Sequence, residues 1–472
     1  MGSRKSAGRM TTNIGLIPRK EGHVQIGKLI LLLVLAGLLL LTLTRPYLTL
    51  SGAIPHDVAS SIRQKGYILL LILSITALGI DKRFTRTVPV PLPIVVLLLW
   101  CWFSLLWSAS PTTSQSRLIL TTSVVWLAFI CVDRLNVQRS LLLIRVFFGM
   151  ALLANYALVF LDPMVGIANA GSPDHLHEWR GFMGHKNIAG TVAALTGLVF
   201  LFNGSTASRV PRYAIVIAAM IFLGFTQSLT SIIGMLVATI AGGAVYQFGS
   251  RIAELKSHQL VQARRIGILL CVLAAAGLVL VTLNGGVLLD IVANPNFWTG
   301  RGRIWQPMLI TYFEHPALGT GYGAFWAQSQ DVNAITSDGS NLNGVTQGHN
   351  GYLDLAIQIG LPGLLLALIG VAAWPAATFV RAARSDVATG ALAIAALVFF
   401  LINNVAETSL FDGDQIPQVF AMLALAMLAA TVKRRKVISR EKLPVRRSAT
   451  RTGADGIPPA HNRRRRRESG GL

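Results

Sequence analysis

The feature that most restricts this chain is a succession of apolar blocks, each about 16–22 residues long, with short polar or basic stretches between most of them. About 20 apolar residues wound as a helix match the hydrocarbon thickness of a bilayer, where backbone N–H and C=O groups must pair within the segment. The blocks therefore predict transmembrane helices at about 29–44, 66–80, 89–107, 117–132, 141–161, 187–203, 213–226, 229–248, 266–283, 353–379, 387–402 and 416–432. The expected class is an all-α polytopic membrane protein with about twelve spans. Between 213 and 248 the turn of a hairpin is marked by Gln227 and Ser228 alone. Composition agrees: 53% of the 472 residues are hydrophobic and 13% charged, with a mean hydropathy of +0.57. Soluble domains carry about 25% charged residues.

Charge sets the expected orientation. The formal net charge of +22 lies mostly after Thr431 and in short loops between helices, as membrane topology requires and unlike a nucleic-acid-binding face. With a cytoplasmic N-terminus, the inside segments hold 33 Lys and Arg and the outside loops 7. The positive-inside rule then expects both termini in the cytoplasm. The chain divides into a basic N-terminus (1–28), a transmembrane domain (29–432) and a basic tail (433–472) with a run of arginines at Arg463 to Arg467. That tail lacks apolar periodicity and is expected to be disordered against anionic headgroups, gaining about 1 kcal/mol per basic residue. The first apolar run, Leu29 to Thr44, has no small-residue cleavage site, so no cleavable signal peptide is expected. Cys101, Cys131 and Cys271 fall inside predicted helices at no metal-like spacing and read as packing residues. Neither a phosphate-binding GxxxxGK[ST] loop nor an HExxH or paired CxxC motif occurs, so no cofactor and no metal is implied.

Polarity collects in residues 284–352, expected as a long extracytoplasmic loop between predicted helices nine and ten. Loops of such length are either functional or disordered, and the arginines, histidines and aromatic residues here are not a disordered composition. It is the expected active-site loop. Four outward-facing places carry polar groups at helix ends. In HLHEWRGFMGHKNIAG, Arg180, His185, Lys186 and Asn187 stand just before helix six, where an anion meets basic side chains and free backbone amides; the plainer reading of Arg180 and Lys186 is interfacial anchoring. In WTGRGRIW, Arg301 and Arg303 are the only basic residues of the long loop, and an arginine fork suits phosphate. Trp298 and Trp305 beside them fit sugar stacking or an aromatic belt. In GHNGYLDL, His349 has the pKa range of a general base and Asn350 stands beside it, although a lone histidine is more often structural. In NNVAETSLFDGD, Asn403 and Glu407 lie where helix eleven ends; Glu407 orients a histidine, holds an arginine or is simply solvated. The glycines of GTGYGAFW lack a preceding strand and read as a tight turn.

Arginines for phosphate, a histidine for a proton and aromatics for sugars, all on the outer face, point to a lipid-anchored donor that brings its own leaving group. A polyprenyl pyrophosphate of the undecaprenyl type carrying an oligosaccharide fits. The ordered motifs WRGFMGHKN, TQSLTSIIG, TGRGRIW…HPALGTGYGAFW, HNGYLDLAIQIGLPG and NNVAETSL, from about Trp179 to Leu410, resemble the O-antigen ligase and polymerase superfamily of bacterial envelope polysaccharide synthesis. The GHKN form is similar to the exopolysaccharide polymerase branch of the succinoglycan type. The resemblance implies a metal-independent, inverting glycosyltransferase of the C-type membrane class in the bacterial inner membrane. By motif, His349 corresponds to the base or acceptor-positioning residue, and Arg180 and Arg301 to the groups that hold pyrophosphate. Leu229 departs from the family, where a basic residue often follows the Ser-x-Ser turn; the grip then falls partly to Lys186 or Arg303, or that motif is peripheral. The expected reaction joins lipid-linked repeat units to an acceptor glycan, with chain-length regulators and export proteins as further partners. Two rivals are a ligase that passes a finished glycan to lipid A core or a protein, and a non-enzymatic transporter of lipid-linked sugars. Transporters place their polar sites near the midplane on broken helices, whereas here polarity gathers in one outer loop.

Overall fold

The computed structural model describes residues 19–50, 56–80, 90–168, 177–202, 209–254, 301–328, 347–383 and 385–441, together with 282–292 and scattered residues of 258–280. The chain is an all-α polytopic membrane protein. In order it forms α1 (Arg19–Leu50), α2 (His56–Ile80), α3 (Leu92–Phe103), α4 (Pro111–Leu135), α5 (Val137–Leu161), the single turn α6 (Pro163–Gly166), α7 (Lys186–Leu201), α8 (Arg209–Thr226) and α9 (Leu229–Glu254). After the partly described 258–283 stretch come α10 (Gly285–Val292), α11 (Gly302–Glu314), α12 (Phe325–Gln328), α13 (Gly351–Leu368), α14 (Trp374–Ala383), α15 (Val387–Ala406) and α16 (Ile416–Glu441). Among the described residues nine helices are long and apolar enough to cross a membrane, and Leu92–Trp107 and Lys186–Leu201 are shorter apolar helices. The span expected at 266–283, with Cys271, lies mostly outside the described residues, as do residues 1–18, the far tail and Trp298.

The helix ends follow local chemistry. Asn136 accepts the backbone N–H of Arg139 at the start of α5, and Asp386 accepts that of Thr389 at the start of α15, satisfying donors that a first turn leaves open. Pro111 occupies the first turn of α4, where a missing N–H costs nothing. Several boundaries differ from expectation: α1 begins ten residues before Leu29 and runs to Leu50, α2 begins at His56 and not at 66, α9 runs to Glu254, and α16 runs on through Lys433 to Glu441. Lys and Arg are good helix formers and cations suit a helix C-terminus, so the basic stretch prolongs the last helix. Side chains of α4, α15 and α16 form the centre of the bundle, with Phe129, Phe399 and Phe420 fully buried. Meanwhile α2, α8 and α9 leave large apolar residues such as Ile72, Ile217 and Leu236 exposed, the face that a bilayer covers.

The described parts of the long loop are folded. In it α10, α11 and α12 bury a small core of Val292, Trp305, Met308, Leu309 and Trp326 against Ile357 of α13. Helix α13 is broken at Gly360, whose φ of 70° suits glycine. The break frees carbonyls, and the HPALGTGYG segment supplies their donors: Thr320 N–H to Ile357 (2.9 Å) and Gly321 N–H to Gln358 (2.9 Å). The indole of Trp100 donates to Ile359 (2.9 Å), and Leu361 N–H donates to Pro316 (2.8 Å). Non-helical backbone at membrane depth is tolerated where protein repairs its hydrogen bonds in this way. The turn itself needs positive φ at Gly319, Gly321 and Gly323.

Candidate active site

Four helix ends meet around one carboxylate. Glu407 ends α15; Asn187 lies in the first turn of α7, Arg301 is the cap before α11, and His349 stands two residues before α13. The Asn187 amide donates to Oε1 of Glu407 at 2.6 Å, and the Arg301 guanidinium lies 3.7 Å from the same oxygen. Nδ1 of His349 is 3.5 Å from Oε2, and the Gly351 N–H donates to the Glu407 backbone carbonyl (3.0 Å). Arg301 and Glu407 expose 17% and 16% of their side chains, so little water screens them. Burial pushes the Arg301 guanidinium below its ordinary value and the Glu407 charge opposes that shift, leaving a cation. Three helix N-termini (α7, α11, α13) lie at this end of the bundle, and the positive ends of their dipoles favour negative charge there. Glu407 is the negative charge that the folded chain supplies there.

The neighbouring groups hold this arrangement. His185 caps α7 through Nδ1, which accepts the Asn187 N–H (3.2 Å). One edge of its ring stays open, yet its enclosure among the other site groups holds the imidazole below its ordinary pKa; Glu407 raises it, His349 and Lys186 lower it. Lys186 pairs with the buried Glu178 at 2.5 Å. Arg180 turns to the short α6, donating to the carbonyls of Val165 (2.9 Å) and Met164 (3.3 Å). Among the described residues no hydrogen bond or ion pair joins Arg180 to Arg301, His349 or Glu407. Arg303 is exposed on α11.

Three residues expected to face substrate are occupied within the protein, two of them by backbone and one by a hydroxyl. Trp305 is buried, and its indole donates to the Gly348 carbonyl at 2.7 Å, so it serves neither as an exposed stacking face nor as a belt residue. Asn350 caps α13 by accepting Tyr352 and Leu353 N–H groups. Asn403, one turn inside from Glu407 and 1% exposed, donates to Thr191 of α7 (3.3 Å). Each is fixed by a partner from its own helix start or from another segment, which sequence spacing does not reveal.

One buried carboxylate beside the site is not singled out by the sequence. Asp354, fully buried in the first turn of α13, accepts the Trp326 indole (2.6 Å), the Gly348 N–H (2.8 Å) and the Thr408 hydroxyl. It ties together α12, the turn that carries His349 and the loop after Glu407. The signal was present in GYLDL, an ionisable group inside an apolar helix, which is costly unless partnered. His349 has a φ of 51°, uncommon for a side-chain-bearing residue, and this knot fixes the turns on either side of it.

Residues 213–368 match the model of the O-antigen ligase family. The matched segment runs from α8 through the folded loop to the end of α13, so it contains Arg301, Trp305, His349 and Asp354, while Asn187 and Glu407 lie outside it. No curated protein matches the chain. The match covers about a third of the chain, and over that segment the chain is similar to the O-antigen ligases.

Proposed function

We propose that the protein is a membrane glycosyltransferase of the exopolysaccharide-polymerase type. It joins oligosaccharide repeat units carried on undecaprenyl pyrophosphate at the outer face of the bacterial inner membrane, with both termini in the cytoplasm. The observation that carries the reading is the convergence of Arg301, His349 and Asn187 on Glu407 at one end of the bundle. A guanidinium, an imidazole and three helix N-termini make a site suited to a diphosphate and to proton transfer.

In the reaction, the hydroxyl of an acceptor sugar attacks the anomeric carbon from the face opposite the diphosphate. The new C–O bond forms as the bond to the leaving phosphate oxygen breaks, so configuration inverts. Nε2 of His349 takes the hydroxyl proton while Glu407, beside Nδ1, stabilises the imidazolium as it forms. Arg301 turns part of its charge from Glu407 to the diphosphate and offsets the charge that gathers there. Arg180 and Lys186, with Arg303, are further candidates for the donor phosphates, and His185 lies at the mouth of the site. No step in this scheme requires a metal. Two lipid-tethered substrates held side by side gain from proximity as well.

The test is loss of long polymer in cells carrying Arg301→Ala or His349→Ala with normal protein level; wild-type chain lengths in both overturn the assignment. The lipid-linked species that accumulates identifies the reaction. Single repeat units on lipid indicate a polymerase, and full-length chains on lipid indicate a ligase. Elongation of lipid-linked repeats by purified protein in detergent, with no second compartment, excludes a transporter.

A further inference from the structure

The ends of α7 and α15 away from Glu407 carry a second polar feature. There the N-termini of α5 and α15 and the C-terminus of α7 frame a small open cleft of about 80 Å³. Gln138, Arg145, Asp386 and Thr389 line it, with Phe202. A cation and an anion thus face one space, yet Arg145 and Asp386 form no ion pair with each other. Arg145 is half-buried, and among the described residues its one hydrogen bond runs from Nε to the Val199 carbonyl at 3.5 Å. The other charge bearing on it is Arg212 of α8, of like sign. Asp386 accepts the Thr389 N–H (3.1 Å) and hydroxyl (2.7 Å) and the Gln138 amide (3.4 Å). A carboxylate has about four acceptor positions, so capacity remains.

The cleft opens at the starts of two spanning helices, the level at which a bilayer's headgroups are expected. Asp386 and Gln138 stand at helix starts, and Arg145 lies eight residues into α5, about 12 Å along the axis. An arginine at that depth is costly unless an anion or water reaches it, and basic pockets between spanning helices are known lipid-headgroup sites. From the cleft, Leu142, Val146, Met150 and Leu153 run along one exposed stripe of α5, an apolar track for acyl chains.

We propose that this cleft seats one phosphatidylethanolamine, its phosphodiester on Arg145 and its primary ammonium on Asp386, with its chains along the α5 stripe. A purely anionic lipid satisfies Arg145 but meets the Asp386 charge. Phosphatidylcholine offers the same phosphate but no N–H to donate.

The test uses the full-length protein in detergent, equilibrated with phosphatidylethanolamine, phosphatidylglycerol or phosphatidylcholine and read by native mass spectrometry, so it is independent of any glycan reaction. The expected result is preferential retention of phosphatidylethanolamine. Arg145→Gln lowers that retention about tenfold, the scale of one charge-assisted hydrogen bond, while Arg145→Lys keeps most of it. Asp386→Asn, which preserves the helix cap, brings phosphatidylethanolamine down to the phosphatidylcholine level and leaves phosphatidylglycerol retention unreduced. If Arg145→Gln does not fold, the Asp386→Asn comparison still decides. Equal retention of the three lipids by the unmodified protein, or an unchanged preference in Asp386→Asn, overturns the proposal and leaves both residues as helix-end contacts.

Discussion

Replacing Glu407 by Gln removes the one negative charge that Arg301 and His349 share while keeping a side-chain oxygen for the Asn187 amide. At an effective dielectric of about 20, unit charges 3.7 Å apart attract by about 4.5 kcal/mol. With 17% and 16% of the two side chains exposed, screening and the cost of ordering reduce the net coupling to about 1–2 kcal/mol. Glu407→Gln alone is expected to cost about 2 kcal/mol or more, because it leaves a half-buried guanidinium without its counter-charge. Adding Arg301→Gln relieves that penalty, so the double variant is less destabilised than the sum of the two singles by about 1–2 kcal/mol. Unfolding free energies from SDS titration in mixed micelles, taken as a double-mutant cycle, measure this directly. Additivity within about 0.5 kcal/mol means that no ion pair operates between them, and the carboxylate-centred site is then wrong.

Asp354→Ala leaves the Trp326 indole, the Gly348 N–H and the Thr408 hydroxyl without their acceptor, a loss of about 3 kcal/mol or more in the same titration. Asp354→Asn, which keeps an acceptor oxygen, loses less. Gly360→Ala places a Cβ about 2.2 Å from the Ala317 carbonyl oxygen at a φ of 70°, and is expected to lower the melting temperature and the folded yield in detergent. For His185, burial holds the folded imidazole below its ordinary pKa of 6.5. As pH falls through that value the unfolded chain takes up a proton that the folded state declines, so stability decreases on acidification. His185→Gln lacks this term, and its SDS midpoint should fall less between pH 7.5 and 5.5 than that of the unmodified protein; an equal fall in both removes His185 from the pH response.

Much of the architecture is legible in the chain because a bilayer admits few structures. Apolar length fixes which segments become helices, and expected and observed spans differ mainly at their ends. The interruption at Gln227 and Ser228 does separate two helices, with Gln227 at a φ of 53°. The long loop was recognisable by its polarity, but not its internal helices. Those of α10 and α11 are amphipathic against one another and α13, so they exist through packing that a hydropathy pattern does not record. Asn350 and Trp305 stand in the neighbourhood that the motifs mark but turn inward, one to cap its own helix and the other to a carbonyl that only the folded chain brings beside it.

Sequence alone determined that this chain spans a membrane as helices, and it marked the polar helix ends at 185–187, 301–305, 349–350 and 403–407. Lipid surroundings leave the backbone no alternative to local hydrogen bonding, so local composition suffices for that much. The tertiary structure decided that Asn187, Arg301 and His349 share one carboxylate, that Arg180 turns instead to α6, and that Asp354 binds the turn holding His349. Residues 58 to 220 positions from Glu407 come within hydrogen-bonding or ion-pairing reach of it only when helices pack, and packing depends on the summed shape of many apolar side chains rather than on any one motif.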